Sequence, residues 1–554
     1  MGTDSWDVEA DVVVLGSGAA GLLTAVVAHD HGASVALLEK ADTVGGTSAV
    51  SGGILWIPDN HHLHEAGLTD SRADALAYLG ALSLGRIDSD LAAVLVDAGP
   101  QMLRWVEEHT PAKFQIVPGY PDYHPEHPGG KPGGGRSLDN LPFSFNELGA
   151  WAQRVLRSDR VHHFTLTETP LGGGRYQVSP EAYQARENAD ERGLGQALVG
   201  SLLRACLDRR IEPRLSTPAR ELLSEDGRVV GVVADHHGTP VRVRAQRAVV
   251  LATGGFEWDE SLRREFLHAP LEAPASPPDN TGDGLRMAMS LGAALGSMAE
   301  AWWVPCLRIP GETWKGRPRS RLVLAERTYP RSIMVNRTGR RFCNEATNYN
   351  ALGNVFQAFD PVSFTWANVP AWLVFDHGYR TRYPVGPLSP NAPDPDWLTV
   401  APTPETLGAA LGIDGAVLAH TVARFSENAR SLEDPEFRRG ESAYDGFNGD
   451  GTEAGKAATL GPLDEPPYYA VPILPGTLGT KGGPRTDARG RVLSVRGGVI
   501  DGLYAVGNVM AGTTGMVYGG AGGTLGPALT WAWVAGQDAA ARSSDAIVGR
   551  ITGE

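Results

Sequence analysis

The sequence predicts an α/β protein whose main domain contains a parallel sheet, and three observations carry this prediction. Residues 11–15 (DVVVL) form a continuous apolar, β-branched run, which is typical of a buried parallel strand. A glycine-rich segment follows at residues 16–21, and a second one lies near the other end of the chain, at residues 502–508. Because a glycine turn after a parallel strand is a common phosphate-binding device, we expect both ends of the chain to build one site.

The first segment has the pattern Gly16-x-Gly18-x-x-Gly21 and is expected to open a helix. The first glycine permits the tight turn, the second lets the backbone approach a pyrophosphate, and the third lets the helix pack closely on the sheet. A second apolar run, residues 34–38, ends at Glu39, 18 residues after Gly21. The carboxylate of Glu39 is then placed to bind a ribose hydroxyl, and the whole order of elements predicts a dinucleotide site.

The dinucleotide is predicted to be FAD rather than NAD. Residues 45–53 (GGTSAVSGG) add a second run of backbone and hydroxyl donors directly after the acidic residue. The late Gly507 and Asn508 resemble the segment that closes over the ribityl chain in two-dinucleotide-binding flavoproteins. The predicted cofactor-binding residues are Gly16, Gly18, Ala19, Ala20, Gly21, Glu39, Lys40, Gly45, Gly46, Thr47, Ser48, Ser51, Gly52, Gly53, Gly254, Asp283, Gly507, Asn508, Thr524 and Leu525.

Composition narrows the class of protein. A chain of 554 residues exceeds the size of one hydrophobic core, so more than one domain is expected. With 49 Lys and Arg against 64 Asp and Glu, the net charge of −15 argues against a nucleic-acid partner. The three cysteines have no metal-ligand or redox spacing, and no metal site is predicted. No apolar run is long enough to cross a bilayer, and the early first strand leaves no room for a signal peptide, so a cytoplasmic location is expected.

The predicted architecture is a two-dinucleotide-binding, Rossmann-like FAD domain with an inserted α+β substrate, or catalytic, domain. Residues 285–470 lose the rhythm of strands and glycines and become rich in Trp, Pro and Arg, so the inserted domain is placed there. The FAD domain then comprises residues 1–284 and 471–554. Within it, residues 225–228 predict a hairpin turn, and residues 280–284 are expected to open a helix that runs to about Leu295.

Several motifs make the chain resemble the FAD-dependent 3-ketosteroid delta-1-dehydrogenases, within the larger fumarate reductase and succinate dehydrogenase flavoprotein group. The resemblance extends over almost the whole chain. Its carriers are residues 45–49 (GGTSA) with 56–58 (WIP), 121–123 (PDY), 341–345 (RFCNE) followed by Tyr349, 478–483 (LGTKGG) and 518–522 (YGGAG).

The resemblance implies removal of two hydrogens from positions 1 and 2 of a 3-ketosteroid A ring. Tyr518 and the backbone N–H of Gly522 would bind the ketone oxygen, which stabilises the enolate. Tyr349 would take the proton from position 2, with Tyr123 polarising it or relaying its proton, and flavin N5 would accept the hydride from position 1. The electron acceptor is left open, quinone-like or a dye in vitro. FAD should be non-covalent, because Gly46 stands where other family members carry the histidine that links the flavin.

Tyrosine is an unusual base because its ordinary pKa is about 10. It needs neighbouring hydroxyls or positive charge, which predicts an alkaline activity optimum. Asn348 precedes Tyr349 where the ketosteroid pattern commonly has proline, so the base is open to a different orientation. Gly522 has an alternative role in helix packing alone. The apolar walls of the pocket are expected among Trp56, Phe143, Phe145, Trp302 and Trp303.

Three alternatives remain open at this point. The first is a 3-ketosteroid delta-4-(5alpha)-dehydrogenase, which shares the fold and most motifs. The second is a fumarate-reductase-like flavin-dependent alkene reductase, for which clustered arginines would have to hold carboxylates. The third is a flavin-binding protein without turnover. The candidate arginines for the second are Arg319, Arg321, Arg327 and Arg331.

Overall fold

A computed structural model of the protein describes residues 5–157, 161–173 and 177–541. The predicted domain ranges also include residues 1–4, 158–160, 174–176 and 542–554, which lie outside the described residues. A seven-stranded sheet forms the main domain. Its strands, in spatial order, are Val35–Leu38, Val8–Leu15, Thr239–Leu251, Val499–Ala505, Arg228–His236 and Ala219–Glu225, with Arg491–Leu493 paired beside Val499–Ala505.

The parallel core of this sheet joins the two ends of the chain. Val8–Leu15 pairs in parallel with Val35–Leu38 on one side and with Thr239–Leu251 on the other. Thr239–Leu251 in turn pairs in parallel with Val499–Ala505. The fold class predicted from the sequence is therefore confirmed, and the expected turn at residues 225–228 joins the antiparallel strands Ala219–Glu225 and Arg228–His236.

Glycine at two positions permits the first helix to lie close to the sheet. Gly16 has φ +105°, and a Cβ there would approach the Ala252 carbonyl oxygen to 2.4 Å. A Cβ on Gly21 would approach the Gly16 carbonyl oxygen to 1.9 Å. The helix Ala19–Asp30 is buried along Ala19–Ala28 and packs against the final helix, Leu525–Ala541.

The second domain is built on another seven-stranded, mostly antiparallel sheet. Its strands are Arg321–Leu322, Ala301–Leu307, Tyr468–Thr480, Ala371–Asp376 and Ser332–Asn336, with Ala273–Pro274 and Thr399–Ala401 paired beside Tyr468–Thr480. The boundary expected between residues 470 and 471 falls inside the strand Tyr468–Thr480, which belongs to this second sheet. We therefore propose that the inserted domain extends to about residue 480.

One predicted helix is shorter than expected. Asp283–Ser290 is helical, but the helix does not reach Leu295. Gly292 has φ +75°, and Ala293 donates its N–H to the Ala288 carbonyl, which is the pattern of a helix closed by a left-handed glycine. Leu295 lies instead in the short strand Leu295–Gly296, which pairs with Gly483–Pro484.

The other helices cover both domains. Their bounds are His61–Glu65, Arg72–Leu82, Ser89–His109, Pro180–Asn188, Leu194–Asp208, Glu260–Phe266, Tyr349–Val355, His377–Arg382, Pro404–Leu411, Gly415–Arg430 and Ala443–Phe447, with the short Gly46–Ala49 in the glycine loop. A three-stranded sheet of Leu55–Trp56, Gly134–Asn140 and Phe114–Pro118 flanks the loop that carries Tyr123. Among the described residues, no helix combines the length and apolarity needed to span a bilayer.

Candidate active site

A continuous cavity of about 700 Å³ runs between the FAD domain and the inserted domain. At one end it is lined by the glycine segments and at the other by tyrosines and leucines. Of the cofactor-binding and catalytic residues predicted from the sequence, all line the cavity except Gly21 and Gly45. Gly21 serves the helix packing described above. A Cβ on Gly45 would meet Ala49 at 2.7 Å and Val199 at 3.0 Å, so this glycine lets the loop pack on the core.

Two helices begin at the cavity wall. The helix Ala19–Asp30 begins just after Gly18, and Leu525–Ala541 begins just after Thr524, so the first turns of both helices face the same space. Helix N-termini carry partial positive charge and suit phosphate oxygens or other anionic groups. The carboxylate of Glu39 lines the same end, where it accepts hydrogen bonds from the Ser17 N–H at 2.8 Å and the Ser17 hydroxyl at 2.6 Å.

The remaining polar residues of this end hold one another in place. Lys40 donates from Nζ to Thr281 and to Asp283, both at 2.7 Å. The Ser48 hydroxyl accepts the N–H of Ala19 at 3.2 Å, which ties the second glycine loop to the first helix. Gly46 borders the cavity, and a Cβ built on it would have no other atom within 4 Å. The loop therefore leaves room for a bound group.

These features fit FAD. The cavity offers an acidic residue at one end, two helix N-termini and a glycine loop in the middle, and Gly507 and Asn508 beside the tyrosines. A dinucleotide needs this sequence of partners: a ribose acceptor, pyrophosphate donors and a flat slot for the ring. The chain would hold FAD with the predicted residues, and the bound flavin would supply a two-electron acceptor.

Five tyrosines gather at the other end of the cavity. The ring centroids of Tyr123 and Tyr349 are 5.4 Å apart, those of Tyr123 and Tyr518 are 5.1 Å apart, and those of Tyr349 and Tyr518 are 5.5 Å apart. Tyr444 lies 5.1 Å from Tyr123, and Tyr120 lies 6.4 Å from Tyr444. The three tyrosines predicted from the sequence therefore come together from positions that are far apart in the chain.

Tyr123 is held by the loop around it. Its backbone N–H donates to the Gly519 carbonyl at 2.9 Å, which joins the Tyr123 loop to the glycine run after Tyr518. The neighbouring Asp122 carboxylate accepts from Trp56 and Arg136, both at 2.8 Å. Asp122, Trp56 and Arg136 are buried, so these hydrogen bonds anchor the Tyr123 loop to the neighbouring sheet.

Asn348 explains why proline is not needed before Tyr349. It caps the helix Tyr349–Val355, accepting the N–H of Ala351 at 2.9 Å with its side-chain oxygen. Its amide nitrogen donates to the carbonyl of Tyr123 at 3.3 Å and contacts the His124 ring at 3.0 Å. The Asn348 side chain thus orients both Tyr349, the first residue of the helix, and the loop that carries Tyr123.

Tyr518 presents a donor to the cavity. Thr524 donates to the Tyr518 hydroxyl oxygen at 3.1 Å, so the Tyr518 proton is left to bind another acceptor. Gly522 lines the same wall with φ +95°, and its N–H has no acceptor among the described residues. The Gly522 carbonyl accepts the Trp56 N–H at 3.1 Å, which holds this peptide in place. Gly522 therefore serves packing and also leaves a free N–H at the site.

The electrostatics of the tyrosines are dominated by burial. Burial raises the pKa of Tyr349 well above 10, and the hydrogen bond with Tyr123 opposes this only in part. Burial raises the pKa of Tyr123 and of Tyr518 as well, while Thr524 lowers that of Tyr518. The neighbouring hydroxyl that a tyrosine base requires is present, but burial outweighs it, so the net shift in the pKa of Tyr349 is upward.

Two residues of the cavity wall, Tyr120 and Tyr444, were not predicted from the sequence, and Arg327 was predicted only as one of four candidate carboxylate-binding arginines. Tyr120, Tyr444 and Arg327 all line the cavity and are buried. Burial raises the pKa of Tyr444 to about 12, and the nearby Arg327 opposes that shift. Tyr120 stands three residues before Tyr123 in the same loop, which was the one available signal. Tyr444 and Arg327 are single residues whose approach depends on how the inserted domain folds.

The expected aromatic walls are wrong. Leucines line the tyrosine end instead, namely Leu166, Leu171, Leu322, Leu324 and Leu478. Trp56, Trp303, Phe143 and Phe145 are buried in the cores, where their bulk fills space between elements, and Trp302 packs behind Tyr518 at a centroid distance of 4.7 Å.

The four candidate arginines do not converge. Arg327 lines the cavity, whereas Arg321 pairs with Glu312 at 2.7 Å and Arg331 pairs with Asp376. Arg319 does not line the cavity. A cluster that binds a substrate with two carboxylates needs several cations facing one space, so this observation favours a ketone over a dicarboxylate.

The fold and the cavity define a FAD-dependent oxidoreductase. The family described as FAD binding domain matches residues 11–525. The chain is 42% identical to a 4-oxocyclohexanecarboxylate 2-dehydrogenase of Sinomonas cyclohexanicum, over 96% of this chain and 93% of that one. It is 40% identical to a 3-oxosteroid 1-dehydrogenase of Mycobacterium tuberculosis, over 95% and 97% respectively.

A solved structure gives the same result. The crystal structure of a 3-ketosteroid delta1-dehydrogenase from Sterolibacterium denitrificans, in complex with 1,4-androstadiene-3,17-dione, has a TM-score of 0.90 and 36% identity, covering 96% of this chain and 99% of that one. The chain belongs to the FAD-binding family that includes these dehydrogenases, and it binds FAD. The resemblance found from the sequence motifs is thereby confirmed.

Proposed function

We propose that the protein introduces a 1,2 double bond into the A ring of a 3-ketosteroid. The observation that carries the proposal is the arrangement of Tyr349, Tyr123 and Tyr518 with the free N–H of Gly522 around one apolar cavity. The match to 3-oxosteroid 1-dehydrogenases over nearly the whole chain supports the same reaction. The protein is an oxidoreductase acting on CH–CH groups.

In this proposal two donors bind the ketone oxygen. Tyr518 donates its hydroxyl proton, which Thr524 leaves available, and Gly522 donates its backbone N–H. Both donors sit in a site that excludes much of the water, where they stabilise negative charge on the oxygen more than solvent would. The proton at position 2 becomes more acidic as a result.

Tyr349 takes the proton from position 2. Its phenolate is stabilised by the hydroxyl of Tyr123, which lies beside it and relays the proton away. Tyr120 and Tyr444 continue the row of hydroxyls from Tyr123 towards Arg327. Bound FAD supplies the acceptor for the hydride from position 1. The electrons then pass to an acceptor that we propose to be quinone-like.

One observation favours a second candidate substrate. Arg327 is 1% exposed, lines the cavity, and forms no ion pair among the described residues. Its Nε donates to the Val323 carbonyl and its Nη1 to the carbonyls of Glu345 and Thr347, which leaves Nη2 without a partner. A buried cation with a free donor suits a carboxylate. A cyclic ketone that bears a carboxylate, such as 4-oxocyclohexanecarboxylate, would satisfy it.

Turnover with an artificial electron acceptor distinguishes the candidates. We expect androst-4-ene-3,17-dione to be converted to a product two hydrogens lighter and unsaturated at position 1, with 4-oxocyclohexanecarboxylate a weaker substrate. If a saturated 5α-ketosteroid is the one substrate converted, and its new double bond is at position 4, the protein has the delta-4 activity. Turnover of 4-oxocyclohexanecarboxylate alone would contradict the steroid proposal in favour of the second candidate, and silence with all three would contradict both.

A further inference from the structure

Lys481 is a buried cation directly behind the ketone-binding tyrosine. It belongs to the motif 478–483, to which the proposed chemistry gives no role. The side chain is 1% exposed, and no carboxylate oxygen of a described residue lies within 4.0 Å of its Nζ. Burial lowers the pKa of Lys481 to about 7. A lysine kept in this position without an ion pair needs other partners, because burying an uncompensated ammonium is costly.

Two of those partners are backbone carbonyls in the segment that leads to Tyr518. The Nζ atom donates to the carbonyl of Gly515 at 3.0 Å and to the carbonyl of Val517 at 2.9 Å. Val517 is the residue before Tyr518 in the chain. The main chain of Lys481 is itself anchored, since its carbonyl accepts the Gly512 N–H at 2.7 Å. Lys481 therefore holds both ends of the loop from Gly512 to Tyr518.

The third contact of the ammonium is aromatic. Nζ lies 3.9 Å from the ring centroid of Trp302, within the range of a cation–π interaction. The Trp302 ring meets the Tyr518 ring edge to face, with centroids 4.7 Å apart. Its indole N–H donates to the side-chain oxygen of Asn508 at 3.3 Å, beside the predicted flavin slot. The same lysine thus supports Tyr518 through the backbone and through its ring neighbour.

We propose that Lys481 is a positioning residue for Tyr518, setting the direction of the hydroxyl that binds the substrate ketone. The inference rests on the proposed function, which assigns the ketone to Tyr518. Two N–H donors remain if the amine loses its proton, so both carbonyl contacts persist in the neutral form. An error of about 1 Å in a catalytic group is enough to cost on the order of a hundredfold in rate.

A double-mutant cycle on the FAD-loaded enzyme tests the inference. Lys481→Met removes both carbonyl contacts, and Tyr518→Phe removes the donor that they position. The readout is the rate of exchange of the position-2 proton of androst-4-ene-3,17-dione into D₂O, together with the rate of anaerobic loss of flavin absorbance. We expect about a hundredfold loss for Y518F, since one oxyanion donor is removed, and about tenfold for K481M.

The double variant decides between positioning and an independent role. If Lys481 acts through Tyr518, K481M in the Y518F background causes no further loss, because coupled residues are not additive. Multiplication of the two effects, to about a thousandfold, would overturn the inference alone. Wild-type rates in K481M would overturn it as well. Wild-type rates in Y518F would contradict the proposed function itself, and the inference would fall with it.

Two further variants keep the result interpretable. Lys481→Arg keeps the charge and the donors, so we expect it to retain more of the exchange rate than K481M. If K481M does not retain FAD, the cycle is run with K481R, and its loss should likewise disappear in the Y518F background. Lys456→Met is the matched control for a lysine-to-methionine change, because among the described residues the ammonium of Lys456 pairs with Glu441 alone, at 3.6 Å on the surface. Its rates should equal those of the wild type.

Discussion

The Thr524 hydroxyl donates a hydrogen bond to the hydroxyl oxygen of Tyr518 over 3.1 Å. Thr524 is the residue before the helix Leu525–Ala541, so one contact connects the start of that helix to Tyr518, the tyrosine that we propose to bind the ketone. The sequence analysis assigned Thr524 to the cofactor alone. The contact gives it a second role, because a hydroxyl that accepts from Thr524 turns its own proton towards the cavity.

The first prediction concerns this contact. Thr524→Val keeps the volume of the side chain and removes the donor, so the Tyr518 proton is no longer directed at the ketone. We expect kcat to fall about fivefold, which corresponds to the free energy of one lost hydrogen bond of about 1 kcal/mol. Steady-state rates with a 3-ketosteroid measure it. Thr530→Val, which removes a hydroxyl bond to the Gly526 carbonyl within the same helix, is the control; equal losses in both variants would contradict the assignment.

The second prediction concerns the base. Tyr349→Phe keeps the ring and removes the hydroxyl, so we expect the rate of proton abstraction to fall by about 10²–10⁴. FAD content and the thermal unfolding midpoint should be unchanged, since the helix cap on Asn348 remains. Tyr183→Phe, which alters a tyrosine outside the cavity, is the control. Exchange of the position-2 proton at the wild-type rate in Y349F would assign the base to another residue.

The third prediction is the pH dependence of the reaction. Burial raises the pKa of Tyr349 well above 10, and a base acts only when deprotonated. The phenolate fraction therefore rises about tenfold per pH unit below that pKa. We expect kcat/KM to increase through the neutral and alkaline range without a plateau near pH 7. A plateau beginning near pH 7 would mean that the pKa of the base is far below the value that burial gives Tyr349, and it would contradict this prediction.

The fourth prediction concerns stability in the inserted domain. The Glu345 carboxylate is fully buried between Arg341 and Arg439, at 2.7 and 3.1 Å. Burial raises its pKa, but the two arginines outweigh burial and the net shift is downward. Glu345→Gln leaves Arg439 buried without its carboxylate partner, while Arg341 keeps Asp434 at 2.8 Å, so we expect a loss of about 3 kcal/mol in the free energy of unfolding. Denaturant unfolding of the holoenzyme measures it.

The same carboxylate gives a signed pH effect. Because its folded pKa is lowered, its stabilising contribution is present above the unfolded value of about 4.3 and is lost as pH falls through the folded value. The difference in stability between wild type and E345Q should therefore shrink only in strong acid. Glu441→Gln, which alters a surface pair with Arg438, is the control. A constant difference down to the acid transition would contradict this account.

The fifth prediction concerns FAD attachment. Gly46 stands open at the cavity wall and carries no side chain that links to flavin. We expect acid or urea denaturation to release all of the FAD into the supernatant, as measured by its visible absorbance. Colour that stays with the precipitated protein after repeated washing would show a covalent link elsewhere in the chain.

The sequence predicted the parts of the fold that depend on short motifs. The turn at Gly16, the packing at Gly21 and the acidic Glu39 have local signatures, so their positions followed from spacing alone. The tyrosines Tyr123 and Tyr518 were recognisable because they stand in the short motifs 121–123 and 518–522, which carry the family resemblance. Gly292, two residues after Ser290, is a similar local signal for the end of the helix. The apolar pattern that continues to Leu295 led to the longer prediction.

Other parts of the site depend on contacts between distant segments. Tyr444 reaches the cavity only through the packing of the inserted domain, and no local pattern marks it. The cluster of four arginines marked Arg327, but it did not show that Arg327 alone of the four lines the cavity. The boundary predicted at residue 470 falls inside the strand Tyr468–Thr480, and the shift to about residue 480 that we propose depends on the pairing of this strand in the second sheet, which no local pattern marks. Large aromatic side chains were assigned to the pocket wall, whereas they fill the cores and leucines form the wall.

The most direct test of the central claim is a single anaerobic mixing of the FAD-loaded protein with androst-4-ene-3,17-dione. The visible flavin absorbance is followed, and the steroid is identified by mass spectrometry and NMR. The account predicts loss of the flavin absorbance and a product two hydrogens lighter with the new double bond between positions 1 and 2. Unchanged absorbance with recovered substrate, or a double bond at another position, would contradict it.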